Sequence, residues 1–233
     1  MLRSFFALFA FMLFLHLPSV AQDEKQLVES VRAKLDKVND YQATGTMKID
    51  VSFINAPQSK VNVYYKRPSK FRIKKAGGIS ILPRGGVSIN VNSVLFSTNY
   101  EAISAGTEMI KGVLTRKIRL IPLDESGDVV LSTLYIDEKN LVIRKASITT
   151  RESGSYEMEM DYGRFSAWGL PDKVVFIFNT KDYKLPKGIT MEYEKGGEKK
   201  AEKIKNKKGS VTISYSSYEI NKGIDDKVFS DKS

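Results

Sequence analysis

The sequence predicts a mainly β protein, an incomplete antiparallel barrel of about ten or eleven strands with an N-terminal amphipathic helix as its cover. Two observations carry this. From Tyr41 onward apolar and polar residues alternate with period two, so each strand has one apolar and one polar face. Before Tyr41 lies one helical pattern, Asp23–Val38. A large sheet that is wet on one side, with one helix for the other side, does not make an ordinary two-layer sandwich. Curling into a half-barrel leaves an apolar concavity under the helix. A barrel filled by its own side chains fits the same alternation.

In chain order, residues 1–21 come first. Arg3, an apolar run from Phe5 to Leu17, and small residues Ser19 and Ala21 have the form of a secretory signal cleaved before Gln22. The run falls short of the ~20 apolar residues that span a bilayer. The chain from Gln22 to Ser233 then reads as a single exported domain.

Asp23 is suited to cap the helix, with Gln26 three residues on. Leu27, Val31, Leu35 and Val38 draw one narrow apolar stripe. The strands follow. Met47, Ile49, Val51 and Phe53 alternate with polar residues, then Val61, Val63 and Tyr65, then Phe71 and Ile73. Val87, Ile89 and Val91 form the next, followed by Ile118 and Leu120, Val129–Ile136, and Leu141–Ile148. Tyr156, Met158, Met160 and Tyr162 come next, then Val174, Phe176 and Phe178, then Ile189–Tyr193, and last Val211–Tyr215. Turn residues such as Arg67-Pro68-Ser69 and Ser153-Gly154 punctuate them.

Composition excludes much chemistry. There is no Cys, and the one His, His16, lies in the leader. Thiolate nucleophiles, Cys or His metal sites and His general bases are therefore missing from the exported domain. No Gly-rich phosphate loop and no nucleophile elbow occurs. Glu157, Glu159 and Asp161, spaced by two on one strand, read as a solvated face. The acidic pairs Asp124-Glu125, Asp137-Glu138 and Asp225-Asp226 read as turns. The expectation is a protein that is not an enzyme and needs no cofactor or metal.

The net charge is +10. Half of it sits in Lys195–Lys208, a basic hairpin tip that includes Lys199, Lys200, Lys203, Lys205, Lys207 and Lys208. It is either a solvated loop that discourages edge pairing or a contact for anionic lipid or an acidic partner. Nucleic acid is not an expected partner, because the aromatics fall on inward faces.

Tyr64-Tyr65-Lys66-Arg67-Pro68-Ser69-Lys70-Phe71-Arg72 resembles the strand–Arg-Pro–strand hairpin of the periplasmic outer-membrane lipoprotein carriers, the LolA-like family. Gly45-Thr46-Met47 and Arg119-Leu120-Ile121-Pro122 fall in matching order, and the resemblance spans most of residues 23–180. It implies a half-barrel whose cavity takes lipoprotein acyl chains released by an inner-membrane ABC complex and passed to an outer-membrane acceptor. Cavity candidates are Met47, Ile49, Val51, Phe53, Val61, Val63, Tyr65, Phe71, Ile73, Val91, Phe96, Leu120, Met158, Met160 and Phe176. Leu27, Val31 and Leu35 belong to the lid. Arg67 inherits the role of holding the lid shut by hydrogen bonds to its backbone. Tyr100–Gly112 has room for a second, short lid helix. The expected cargo is a lipoprotein or another acylated lipid, carried by a monomer; the alternative is a lipid-sensing regulatory domain of the same fold.

Overall fold

The computed structural model describes residues 20–50, 57–75, 95, 99–124, 127–151, 154–179 and 208–230, with side chains from Asp23 onward. The leader, the strand patterns at 87–91 and 189–193, the sites Val51, Phe53, Val91 and Phe96, and the basic tip up to Lys207 lie outside the described residues.

Helix α1 (Val20–Leu35) opens the described chain. Ten strands follow: β1 (Asp40–Asp50), β2 (Ser59–Lys66), β3 (Lys70–Lys75), β4 (Tyr100–Ile110), β5 (Val113–Pro122), β6 (Val129–Asp137), β7 (Val142–Thr150), β8 (Ser155–Asp161), β9 (Lys173–Asn179) and β10 (Lys208–Ile220). They form one antiparallel sheet in the order β3-β2-β1-β10-β9-β8-β7-β6-β5-β4. Among the described residues the sheet does not close, because β3 and β4 stand at opposite edges.

Burial follows the alternation. Met158 and Met160 on β8, Phe176 and Phe178 on β9, and Val211 and Ile213 on β10 are buried on one face, together with Val28, Val31 and Leu35 of α1. On the other face Glu157, Glu159 and Asp161 meet lysines: Lys145 reaches Glu157, and Lys111 reaches both Glu159 (3.1 Å) and Asp161 (2.8 Å). One face is therefore apolar and carries the helix. The other is a ladder of solvated ion pairs.

Two expectations change. The segment Tyr100–Gly112 holds strand β4 and not a second lid helix. Its residues pair with β5 from Tyr100↔Pro122 to Ile110↔Val113, and Gly106 at φ 85° sits in the irregularity between Ser104 and Thr107. The segment is long enough for a short helix, but backbone pairing along a whole neighbouring strand makes it β. The helix itself starts at Val20 and ends at Leu35 rather than spanning Asp23–Val38. Asp23 is inside it, and its carboxylate pairs with Arg116 instead of capping the first turn.

Gly45 marks a close approach. The β1–β10 register shifts between Thr44 and Gly45, and a Cβ at Gly45 would stand 2.4 Å from the Ser214 carbonyl oxygen. Beyond β10 the chain returns over the polar side of β2 and β3. Asp226, in a short 3-10 turn (Asp226–Phe229), takes Lys66 and Lys70, while Arg72 donates to the Ser230 carbonyl. That cover explains why Arg72, on the polar face of β3, is buried.

Candidate apolar binding face

The inner face is one apolar surface. Met47, Val61, Val63, Tyr65, Ile73, Leu120, Met158, Met160 and Phe176 are all buried in a single cluster, and Ile49 and Phe71 pack against its margin. The strand register brings them together: Met158 faces Phe176 and Ala146 across its two neighbouring strands, and Met47 faces Ile213. Phe176 stacks between Tyr156 (4.9 Å between ring centres) and Phe178 (5.6 Å). Methionine side chains in such a setting are flexible and polarizable, and adapt to apolar contacts of varied shape.

The cover is α1, and its buried stripe is Glu24, Val28, Val31 and Leu35, continued by Val38 in the turn beyond. The expected lid residues Val31 and Leu35 belong to it, whereas Leu27 is only partly buried. Spacings of 4, 3 and 4 describe this stripe as well as those chosen from the sequence. Glu24 hid the true one, because a carboxylate is not expected at a buried helical position.

Both ends of α1 are tied to the sheet. At its C-terminal end Arg67, in the turn between β2 and β3, donates to the Asp36 carbonyl at 2.8 Å. Asn221 Nδ2 donates to the Lys37 carbonyl at 2.8 Å, and the Asn221 Oδ1 accepts from the Asn39 N–H. Lys34 donates to the Asn140 carbonyl at 2.6 Å. Gly169, at φ 70°, lets the chain pass against Leu35, where a Cβ would meet its Cδ2 at 3.0 Å. Arg67 thus bonds a backbone carbonyl just past the end of α1.

At the N-terminal end Arg116 of β5 takes three carboxylates. It pairs with Asp23, makes two parallel bonds to Glu138 (2.8 and 2.9 Å), and lies 3.6 Å from Glu24 Oε1. Midway, Tyr100 donates to Glu29 and Arg32 donates to the Leu95 carbonyl. Burial, followed by the Glu29 bond, pushes the Tyr100 phenol up to about 12.

An aromatic group fills the end of the half-barrel near Arg67. Tyr218 lies 4.9 Å from Tyr215, 5.2 Å from Tyr41 and 4.8 Å from Phe165 between ring centres. Its phenol donates to the Pro171 carbonyl. Burial raises the phenols of Tyr41, Tyr215 and Tyr218 well above their ordinary range. Sequence reading missed Tyr218 because it follows the bulged end of β10, out of phase with Val211–Tyr215.

Among the described residues no group of three or more His, Cys, Asp or Glu is placed to hold a metal ion, and no helix is long and apolar enough to cross a membrane. Of the basic tip only Lys208 is described; it is exposed at the start of β10.

No protein-family model and no curated protein matches the chain. Solved structures do. An outer membrane lipoprotein-sorting protein domain from Vibrio parahaemolyticus superposes with a TM-score of 0.55 at 11% identity, over 90% of this chain and 97% of that one. A DUF1329 family protein from Desulfovibrio piger gives 0.51 at 10% identity, over 89% and 97%. A LolA superfamily protein from Nitrosomonas europaea gives 0.50 at 13% identity, over 87% and 97%. Among the described residues, the open ten-stranded sheet with one helix on its apolar face is the LolA-like fold.

Proposed function

We propose that this protein is a periplasmic carrier that holds the acyl chains of a lipoprotein against the inner face of its half-barrel and moves them from the inner to the outer membrane. The observation that carries the reading is the continuous apolar inner face of an unclosed sheet, with one helix laid over it and fastened at its ends by polar groups. An acyl chain exposes about 0.8 kcal/mol per CH₂ to water, so a long one needs on the order of 10 kcal/mol of burial during transit. A face of Met, Phe, Tyr and β-branched side chains supplies that burial without directional bonds, so it can both accept and release. The residues assigned to cargo contact are Met47, Val61, Val63, Tyr65, Ile73, Leu120, Met158, Met160 and Phe176, with α1 as the element that yields to it. An ABC release complex and an outer-membrane acceptor are the implied partners.

The test is native mass spectrometry and lipid extraction of the protein purified from periplasm, together with release of lipoproteins from spheroplasts when the protein is added. Co-purifying acyl lipid and lipoprotein release are expected. Neither lipid nor release would overturn the carrier reading. A stoichiometric membrane-protein partner in a pull-down, with no release, would point to the regulatory domain instead.

A further inference from the structure

We propose that acyl cargo enters at the N-terminal end of α1, across a rim made by Met109 and Leu114 at the tip of the β4–β5 hairpin, with Arg116 just inside as the closure it displaces. The inference rests on the acyl-carrier reading above.

Leu120, Ile118, Arg116 and Leu114 succeed one another at spacing two on one face of β5. Leu120 and Ile118 are in the buried cluster, and Arg116 reaches the start of the helix. Leu114, one step farther, is 62% exposed, and its cross-strand partner Met109 is 58% exposed. They are the two most exposed large apolar side chains among the described residues. A single exposed apolar residue needs no explanation. An exposed cross-strand pair that continues the column of the core beyond Arg116 is different, because it sets apolar surface in solvent just outside the charged group that closes the helix start. A cleft of about 520 Å³ flanks the hairpin tip, between Thr107, Val113 and Leu114 on one side and Glu138, Lys139 and Arg144 of the β6–β7 turn region on the other.

The two ends of α1 are unequally fastened. At the C-terminal end Arg67, Asn221 and Lys34 make three hydrogen bonds of 2.6–2.8 Å that involve backbone carbonyls. At the N-terminal end one guanidinium serves three carboxylates. Glu24 is 2% exposed there, and its Oε2 accepts no hydrogen bond from the described residues. A buried carboxylate oxygen without a partner is costly, and lifting the helix start rehydrates it. The helix therefore pivots on its Arg67 end and opens beside the apolar rim.

A single-tryptophan protein (Trp168→Phe with Leu114→Trp) reports on the rim. Dibromostearate is expected to quench its fluorescence, whereas stearate does not. The double variant Met109→Asp/Leu114→Asp is expected to reach the parent's stearate capacity at equilibrium but take the fatty acid up about tenfold more slowly, about 1.4 kcal/mol on the barrier. Circular dichroism checks that it is folded. Uptake at the parent's rate, or no quenching by dibromostearate, overturns the entry route while leaving the carrier reading in place. A blue shift with fatty-acid-free phosphatidylglycerol vesicles and no quenching would make the rim a membrane contact and overturn it too. If the parent protein binds no stearate, the carrier reading falls and the route falls with it.

Discussion

Arg67 Nη1 donates to the main-chain carbonyl of Asp36 at 2.8 Å, while its Nη2 stands 3.3 Å from the same residue's carboxylate. One side chain thus satisfies an orphan carbonyl just past α1 and places a positive charge at the negative end of the helix dipole. Guanidinium is suited to this, having five donors in a fixed fork and a charge that persists at any physiological pH.

Replacing Arg67 by Leu removes both contributions. Because the pair is half-exposed, the expected loss is modest, about 0.5–1.5 kcal/mol of global stability. Amide exchange around residues 35–38 is expected to quicken well beyond that of β6–β8. If the proposed carrier role holds, the variant is expected in a transfer assay to accept cargo but pass it on poorly. Parent-like exchange at the end of α1 would remove Arg67 from the tether.

Gly45→Ala places a methyl group 2.4 Å from the Ser214 carbonyl oxygen, and the obstacle is backbone on the central β10 strand. The strands must part or the bulge must move. A destabilisation of about 1–3 kcal/mol is expected from urea denaturation. Gly127→Ala is the control, since nothing lies within 4 Å of its added methyl. Equal midpoints for the two would refute the close-approach reading.

Stability is expected to fall at both ends of the pH scale for different reasons. Burial works against ionisation of Asp137, but hydrogen bonds from Asn140 and Arg144 prevail and hold its carboxyl below the usual carboxylate range. A depressed folded value means that its stabilisation is present above the unfolded pKa of about 3.9 and is lost as pH drops through the lower folded one. Asp137→Asn should flatten the acid limb of the melting-temperature profile. The buried phenols act oppositely. Tyr156 is pushed up to about 12 by burial and then by Asp128, and Tyr41, Tyr215 and Tyr218 are raised as well. Their contribution is whole below about pH 10 and is lost as pH rises through the folded values. Tyrosinate absorbance that develops in one cooperative step with alkaline unfolding is the expected signature; independent titration near the ordinary value would contradict it.

The strands were legible because a half-wet sheet leaves its period in the residues themselves. Val61-Val63-Tyr65 and Tyr156-Met158-Met160 are buried as the alternation requires. β4 was not legible. As an edge strand it is buried only at Tyr100 and Ala102 near one end, so most of Tyr100–Ile110 carries no alternation to read. Glu24 and Arg116 were illegible for another reason. Their meaning is in a contact across 92 positions of chain, and no local pattern announces that a helix carboxylate will face inward under a guanidinium. Arg67 was found only through the Arg-Pro hairpin that resembles the lipoprotein carriers; its partner, the end of α1, required the fold.

The strand order also governs how the domain is assembled. From β5 to β10 every described strand pairs with its predecessor, so that stretch zips by neighbour-to-neighbour steps. Among the described strands the hairpin set β1–β3 joins the sheet through β10 alone, and Thr44 meets Ser217 across 173 positions. Long-range closure of this kind is slow, since the loop entropy is lost before the contacts form. The seam between β1 and β10 is consequently expected to be the last to be sealed. Until it is, the apolar inner faces of β1 and β2 stand without their neighbour, which makes that seam the step most sensitive to aggregation and to chaperone assistance.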